Sequence, residues 1–321
     1  MLNLELPLNS LSFGNVSFNI LRELYKRNEK ICLFHIGEKA DLNAFEPEDG
    51  FKDWISNSVN ERWGSYSVDN PSLKLWHING SDNRKSRIQN LYTFYECSEP
   101  TEIELSLLRN QDKVFFSSSY ACNIFKDKGL NNCSFIPVGF DPDFKKEEVP
   151  KPDGIQFLLM GKFESRKRTS KIIKTWLKKY GNNPKFTLNL CVTNPFFKPE
   201  DMQKILASTF EGKSYNNVNI LPYLKTNKEV NMLMNVCDID LTGLSGGEGW
   251  NLPAFNMTCL GKWSIVLNAT SHKDWANSEN SILIEPSGTI PAEDGVFFHK
   301  NSQFNQGVFY DWEEENAISA M

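Results

Sequence analysis

Ser245-Gly246-Gly247-Glu248-Gly249-Trp250-Asn251-Leu252-Pro253-Ala254-Phe255-Asn256 is the stretch whose reading decides the fold. It follows Cys237-Asp238-Ile239-Asp240-Leu241, which predicts a buried parallel strand. It precedes Ala254 to Leu260, which predicts a helix with Pro253 in its first turn. In this strand, glycine-rich loop and helix, Gly246, Gly247 and Gly249 would let the backbone pass close to a ligand, and the helix start offers unpaired N–H groups to an anion. A phosphate suits such a cradle. Glu248 would repel one, so it is expected to face an uncharged group such as a sugar hydroxyl.

The flanking sequence repeats the architecture. In the second half, strands are predicted over 155–160, 186–192, 218–221, 238–241, 264–267 and 281–284, with a helix whose face carries Ile172, Ile173, Trp176 and Leu177. The first half reads the same way, with strands over 2–8, 31–36, 73–78, 113–116 and 133–138. Helical spacing runs through Val16, Ile20 and Leu24, over 51–59, near 102–109 and over 119–128. Parallel crossovers of this kind build doubly wound sheets whose ligands sit beyond the carboxyl ends of the strands.

The charged stretch from Lys145 to Asp153, with Pro150 and Pro152, reads as a linker. The fold expected is therefore α/β, two Rossmann-like domains facing across a cleft, at 1–148 and 149–305. Residues 306–321 are expected to add a helix on one of them.

Apolar residues at 40% and charged residues at 23% describe a globular chain, and no apolar run reaches the length of a membrane span. Met1-Leu2-Asn3-Leu4-Glu5 lacks the basic start of a signal peptide, so a cytoplasmic protein is expected. Seven cysteines without C-x-x-C spacing read as buried free thiols. Residues 1–150 hold 17 Lys+Arg against 22 Asp+Glu, and the remainder holds 18 of each, which argues against a general nucleic-acid or anionic-membrane surface. No G-x-G-x-x-G follows the first strand, where Gly14 stands alone, so a nicotinamide-dependent oxidoreductase is disfavoured.

After the strand ending at Met160 comes Gly161-Lys162-Phe163-Glu164-Ser165-Arg166-Lys167-Arg168, whose four cations at a strand's carboxyl end would surround a diphosphate. Here the chain resembles the GT-B glycosyltransferases, specifically retaining glycosyltransferase family 4. The family's Gly-Arg-x-x-x-x-Lys is matched by Gly161, Lys162 in place of arginine, and Lys167. Its Ser-x-x-Glu-Gly-Phe-Gly-Leu-Pro-x-x-Glu is matched by Ser245, Glu248, Gly249, Leu252 and Pro253, with Trp250, Asn251 and Asn256 as departures. Phe135-Ile136-Pro137-Val138-Gly139-Phe140-Asp141, Tyr95-Glu96 and Phe115-Phe116-Ser117 also resemble family motifs.

The resemblance implies that Lys162 and Lys167, helped by Gly161 and Arg166, hold the diphosphate of a nucleotide sugar. Glu248 would contact the donor sugar, and Gly246, Gly247 and Gly249 to Leu252 would line sugar and phosphate. His77 would stand near the reaction centre, and Asn256 would replace the glutamate that grips the ribose diol. It implies a metal-independent, retaining transfer from a nucleotide-diphosphate sugar, UDP- or GDP-linked, with no tightly bound cofactor; Asp238-Ile239-Asp240 lies in a strand and offers no metal loop. The acceptor, a saccharide, glycolipid or modified DNA base, is expected on the first domain around Gly14, Asn15, His77 and the loop of Arg84, Lys85 and Arg87. A catalytically silent nucleotide-sugar or glycan-binding protein is the alternative that Asn256 suggests.

Overall fold

Short buried runs such as Leu2–Pro7 and Ile31–Ile36, alternating with segments of 3.6-residue apolar spacing, build the first half as a strand and helix series. In the computed structural model, which describes residues 1–321, its elements are β1 (Leu2–Pro7), α1 (Ser12–Lys26), β2 (Ile31–Ile36), α2 (Phe51–Asn60), α3 (Arg62–Ser65), β3 (Ser72–Leu75), β4 (Gln89–Thr93), α4 (Glu102–Arg109), β5 (Lys113–Phe116), α5 (Ser119–Asp127) and β6 (Cys133–Phe135). They form one parallel sheet in the order β2-β1-β3-β4-β5-β6. Two of these helices, α4 and α5, start where a side chain satisfies a free N–H group. At α4, the Thr101 side chain accepts from Glu104 N while the Glu104 carboxylate accepts from Thr101 N, a reciprocal cap.

The second half runs β7 (Ile155–Met160), α6 (Thr169–Tyr180), β8 (Phe186–Cys191), α7 (Pro199–Thr209), β9 (Val218–Ile220), α8 (Asn227–Val236), β10 (Ile239–Asp240), α9 (Leu252–Cys259), β11 (Trp263–Leu267) and β12 (Ser281–Ile284). The order β12-β11-β10-β7-β8-β9 is again all parallel. Both sheets are doubly wound, as expected. Burying Phe157, Ile172, Ile173, Trp176, Leu188 and Ile265 without exposure gives the second sheet its core.

Two expectations are corrected, and one strand was not foreseen. The chain leaves the sheet at Leu75, so Trp76 and His77 stand beyond β3 and open a 3-10 turn at Ile78–Gly80. β4 goes unrecognised in sequence because it opens on Gln89-Asn90; both amides are bonded within the fold, Gln89 Nε2 to Asn83 O at 2.9 Å and Asn90 Nδ2 to Ser72 O at 3.0 Å. The tail is not wholly helical. β14 (Val308–Asp311) pairs antiparallel with β13 (Gly288–Pro291), and only α10 (Glu314–Ala320) is helix.

α10 packs with Trp312 and Ala317 on the core around α6, where Tyr180 OH donates to Met321 O at 2.7 Å. The hairpin reaches across to the other half. Ala292, Phe298 and Phe309 bury into the cluster of Leu91, Tyr95, Leu105, Phe116 and Phe125. Asn305 N donates to Glu104 at 2.9 Å and Val308 N to Ser98 Oγ at 3.0 Å, fixing this strap across the two sheets.

Candidate active site

In each sheet the strand order reverses beside the half's first strand, between β1 and β3 and again between β7 and β10. Loops leaving the carboxyl ends of such a pair diverge and open a crevice. Here the two crevices share one cleft of about 1300 Å³. Asn9 to Phe13, Trp76, His77, Phe94 and Glu96 line it from the first half. Gly161, Lys162, Glu164, Arg166, Lys167 and Glu248 to Pro253 line it from the second, with Asn256 on α9.

The two second-half loops are tied together by backbone. Gly246 N donates to Arg166 O at 3.0 Å, and Tyr310 N donates to Gly246 O at 2.8 Å. Gly161 turns the chain out of β7 at φ +123°, a conformation that favours glycine. Gly249 lies against the first half: a Cβ there would sit 2.8 Å from the Phe94 Cβ, and its carbonyl accepts from Ser117 Oγ at 2.7 Å. Asn251 starts α9 in the left-handed region, φ 70°.

Asn251 Nδ2 reaches Thr242 O at 3.0 Å and His272 Nε2 at 2.9 Å, while His272 Nδ1 bonds Leu267 O at 2.9 Å. The carbonyl requires N–H at Nδ1, so Nε2 accepts from the amide. Burial lowers the His272 pKa and keeps the ring neutral.

The charges interlock. Lys167 Nζ lies 2.6 Å from Glu248 Oε1, Arg166 3.0 Å from Glu248 Oε2, and both Arg166 and Lys162 lie 3.1 Å from Glu164. Arg166 also donates to Gly247 O. Burial works to raise the Glu248 pKa, but Lys167 and Arg166 outweigh it and hold the carboxyl well below the usual carboxylate range. Glu164 is likewise lowered, burial being outweighed by Arg166, Lys167 and Lys162.

Glu96, from the other wall, moves the opposite way. Burial raises its pKa, and Glu248 and Glu164 add to the rise against Arg166 and Lys167. Three cations thus face Glu164 and Glu248, both held ionised, and Glu96, whose raised pKa disfavours its charged form. Across the cleft, burial and then Lys162 lower the His77 pKa to about 4, although the ring faces the open cleft. On α9 the Asn256 Oδ1 is buried with no hydrogen-bond partner.

No family profile matches the chain, and neither does any curated protein sequence. Solved structures do match. Sucrose-phosphate synthase from Thermosynechococcus elongatus superposes with a TM-score of 0.62 at 13% identity, over 89% of this chain and 86% of that one. Anabaena HepE in complex with UDP and glucose gives 0.64 at 14% over the same shares. An Escherichia coli structure named for trehalose-6-phosphate, bound with UDP-2-fluoro glucose, gives 0.59 at 10%, over 88% and 87%. The chain has the GT-B fold.

The GT-B cleft brings together most of the residues singled out in sequence and leaves others out. Lys162, Lys167, Glu248, Gly249, Leu252, Asn256, Asn15 and His77 line it. Gly14 does not; it is buried in the first turn of α1, against the Asn9 carbonyl. Gly246 and Gly247 face the strap, packed on Tyr310 O and on the Phe309 ring with Glu96 O. Trp250 touches the cleft only at its edge, its side chain being buried in the core of the first sheet, where it binds the halves together.

Of the four cations in the turn, Arg168 pairs with Asp311, and Arg166 is buried between Glu164, Glu248 and Gly247 O. The loop of Arg84, Lys85 and Arg87 lies off the cleft, its charges paired with Asp112, Glu5 and Asp69. Glu96 and Glu164 are charged cleft residues that sequence reasoning assigned no role, although Tyr95-Glu96 stood among the matching motifs and Glu164 sits inside the cationic turn.

Proposed function

We propose that the chain is a retaining, metal-independent glycosyltransferase that moves a sugar from a UDP- or GDP-linked donor to an acceptor hydroxyl, with residues 149–305 holding the donor and residues 1–148 the acceptor. The observation that carries the reading is the pair Lys162 and Lys167 at the carboxyl end of β7, facing Glu248 across the crevice between β7 and β10. Two ammonium groups placed in advance stabilise the charge that grows on a departing diphosphate. The fold shared with proteins solved with UDP, UDP with glucose, or a UDP-sugar analogue supports the donor class.

In this reading the diphosphate lies on Lys162 and Lys167 and the donor sugar beside the Lys167–Glu248 pair. A ribose hydroxyl donates to the partnerless Asn256 Oδ1. Sugar hydroxyls meet an ionised Glu248 that can only accept, which uses the negative charge that puzzled a phosphate-only reading. The bond from the anomeric carbon to the diphosphate oxygen breaks, the acceptor oxygen bonds that carbon on the same face, and the acceptor's proton passes to the departing diphosphate. Arg166 acts through Glu248 and Glu164 and is a positioning residue. With the Arg84–Arg87 loop paired and off the cleft, a DNA acceptor loses the feature that suggested it.

Thermal unfolding with UDP-, GDP- and ADP-sugars tests the reading. One nucleotide sugar should raise the melting temperature; none doing so at millimolar concentration overturns it. Stabilisation without turnover of any donor would instead favour the silent binding protein.

A further inference from the structure

The first-half wall of the cleft carries a group that the donor reading leaves unused. Phe13 packs on three rings of this wall: its ring centroid lies 4.5 Å from His77, 5.0 Å from Phe94 and 5.8 Å from Trp76, and Trp76 lies 5.2 Å from His77. All four line the cleft, and none of the three aromatic rings is fully buried. Phe94 is also the residue that Gly249 abuts, so the recess borders the loop that carries Glu248. We propose that this aromatic recess is the acceptor subsite and that it takes an uncharged pyranose, stacked by its C–H face on Phe13 and Trp76 with one hydroxyl turned toward Glu248. This rests on the glycosyltransferase reading for the direction of transfer.

Three features select the class. Aromatic faces bind the apolar side of a sugar ring, and the polar groups beside them are hydroxyl partners: the His77 imidazole, the Asn79 amide and the Glu96 carboxyl all line the same wall. Desolvation between the cleft walls and then Lys162 lower the imidazole's pKa below its ordinary value, which disfavours the charged form that would hold an anion.

Of the cations lining the cleft, Lys162, Arg166 and Lys167 are paired on the donor side, and Arg27 and Lys225 have no carboxylate partner, Lys225 standing on the second-half wall. Arg22 is paired with Asp143 at 2.5 Å, Lys74 and Lys85 with Glu5, and Lys162 with Glu164 on the donor side. Arg27 lines the far end of the cleft, about 21 Å along α1 from Phe13 at 1.5 Å per residue.

Saturation-transfer NMR on the full chain with UDP present tests the proposal, using methyl glucoside, galactoside, mannoside and N-acetylglucosaminide as probes and the corresponding 6-phosphates as the charged arm. At least one uncharged glycoside should show transfer to the protons of one ring face. The signal should fall roughly fivefold in Trp76→Ala and in Phe13→Ala, and return in Trp76→Tyr. Circular dichroism melts on each variant separate this loss from misfolding.

The proposal is overturned if the 6-phosphates give the stronger signal, if no glycoside shows transfer, or if both alanine variants match the wild type. Melting of the wild-type chain with and without UDP reads the donor reading separately. Glycoside contacts that survive alongside a flat UDP response would remove the enzyme and leave the subsite standing.

Discussion

Replacing Lys167 by methionine keeps most of its volume and removes one charge from the site. The ammonium is 2.6 Å from Glu248 Oε1, and the two side chains are 13% and 7% exposed. Stripping the only partner from a buried ion pair costs about 3–5 kcal/mol. Glu248 is not left alone, since Arg166 remains 3.0 Å from its other oxygen. The stability loss should therefore be about 1–2 kcal/mol, closer to that of a lost charge-assisted hydrogen bond.

Turnover should suffer more than stability. A donor aimed in advance at developing negative charge is worth about 3–4 kcal/mol, so the rate of nucleotide-sugar cleavage should fall roughly 10²–10³-fold. Glu248, freed of the nearer cation, should also titrate at a higher pH. Urea unfolding, calorimetric titration with UDP and a nucleoside-diphosphate release assay measure the three effects. Turnover and UDP affinity within about twofold of wild type, in a folded Lys167→Met protein, would refute the diphosphate assignment.

Phe309→Ala should cost about 3–5 kcal/mol in urea unfolding, because the ring is buried without exposure in the first half's core and anchors the strap. Asp240 is buried without exposure and accepts from Thr242 N and Gly243 N, and burial raises its pKa to about 6. A raised folded pKa gives stability that is full below the unfolded value and lost as pH climbs through the folded one. From pH 4 to 6 the wild type should lose roughly 2 kcal/mol relative to Asp240→Asn, of about 3 kcal/mol over the whole titration, measured as the difference between their unfolding curves. His77, lowered to about 4, should contribute no inflection near pH 6.5; a transition there that disappears in His77→Gln would contradict the neutral assignment.

Much of this was legible because local sequence carried it. The strands 113–116, 155–160 and 281–284 stand at the expected limits, and the turn at Gly161 and the loop at Glu248 meet across the switch point as doubly wound topology requires. What could not be read depends on partners far along the chain. Gly246 and Gly247 are small because Tyr310 and Phe309 press on them, and Trp250 is large because it fills the core of the other half. Arg166 looks like a phosphate ligand until its carboxylates are seen on both sides. The strand at Val308–Asp311 needs β13 to pair with, and nothing in its own residues announces that register.

The central claim is transfer from a nucleotide sugar in the cleft between the two sheets. Incubating the chain with single UDP- and GDP-sugars, with and without neutral glycosides, and quantifying nucleoside diphosphate and product anomers by NMR tests it directly. The account predicts release of one nucleoside diphosphate, faster with acceptor, and a product that keeps the donor's anomeric configuration. Intact donors throughout, or a product of inverted configuration, would contradict it.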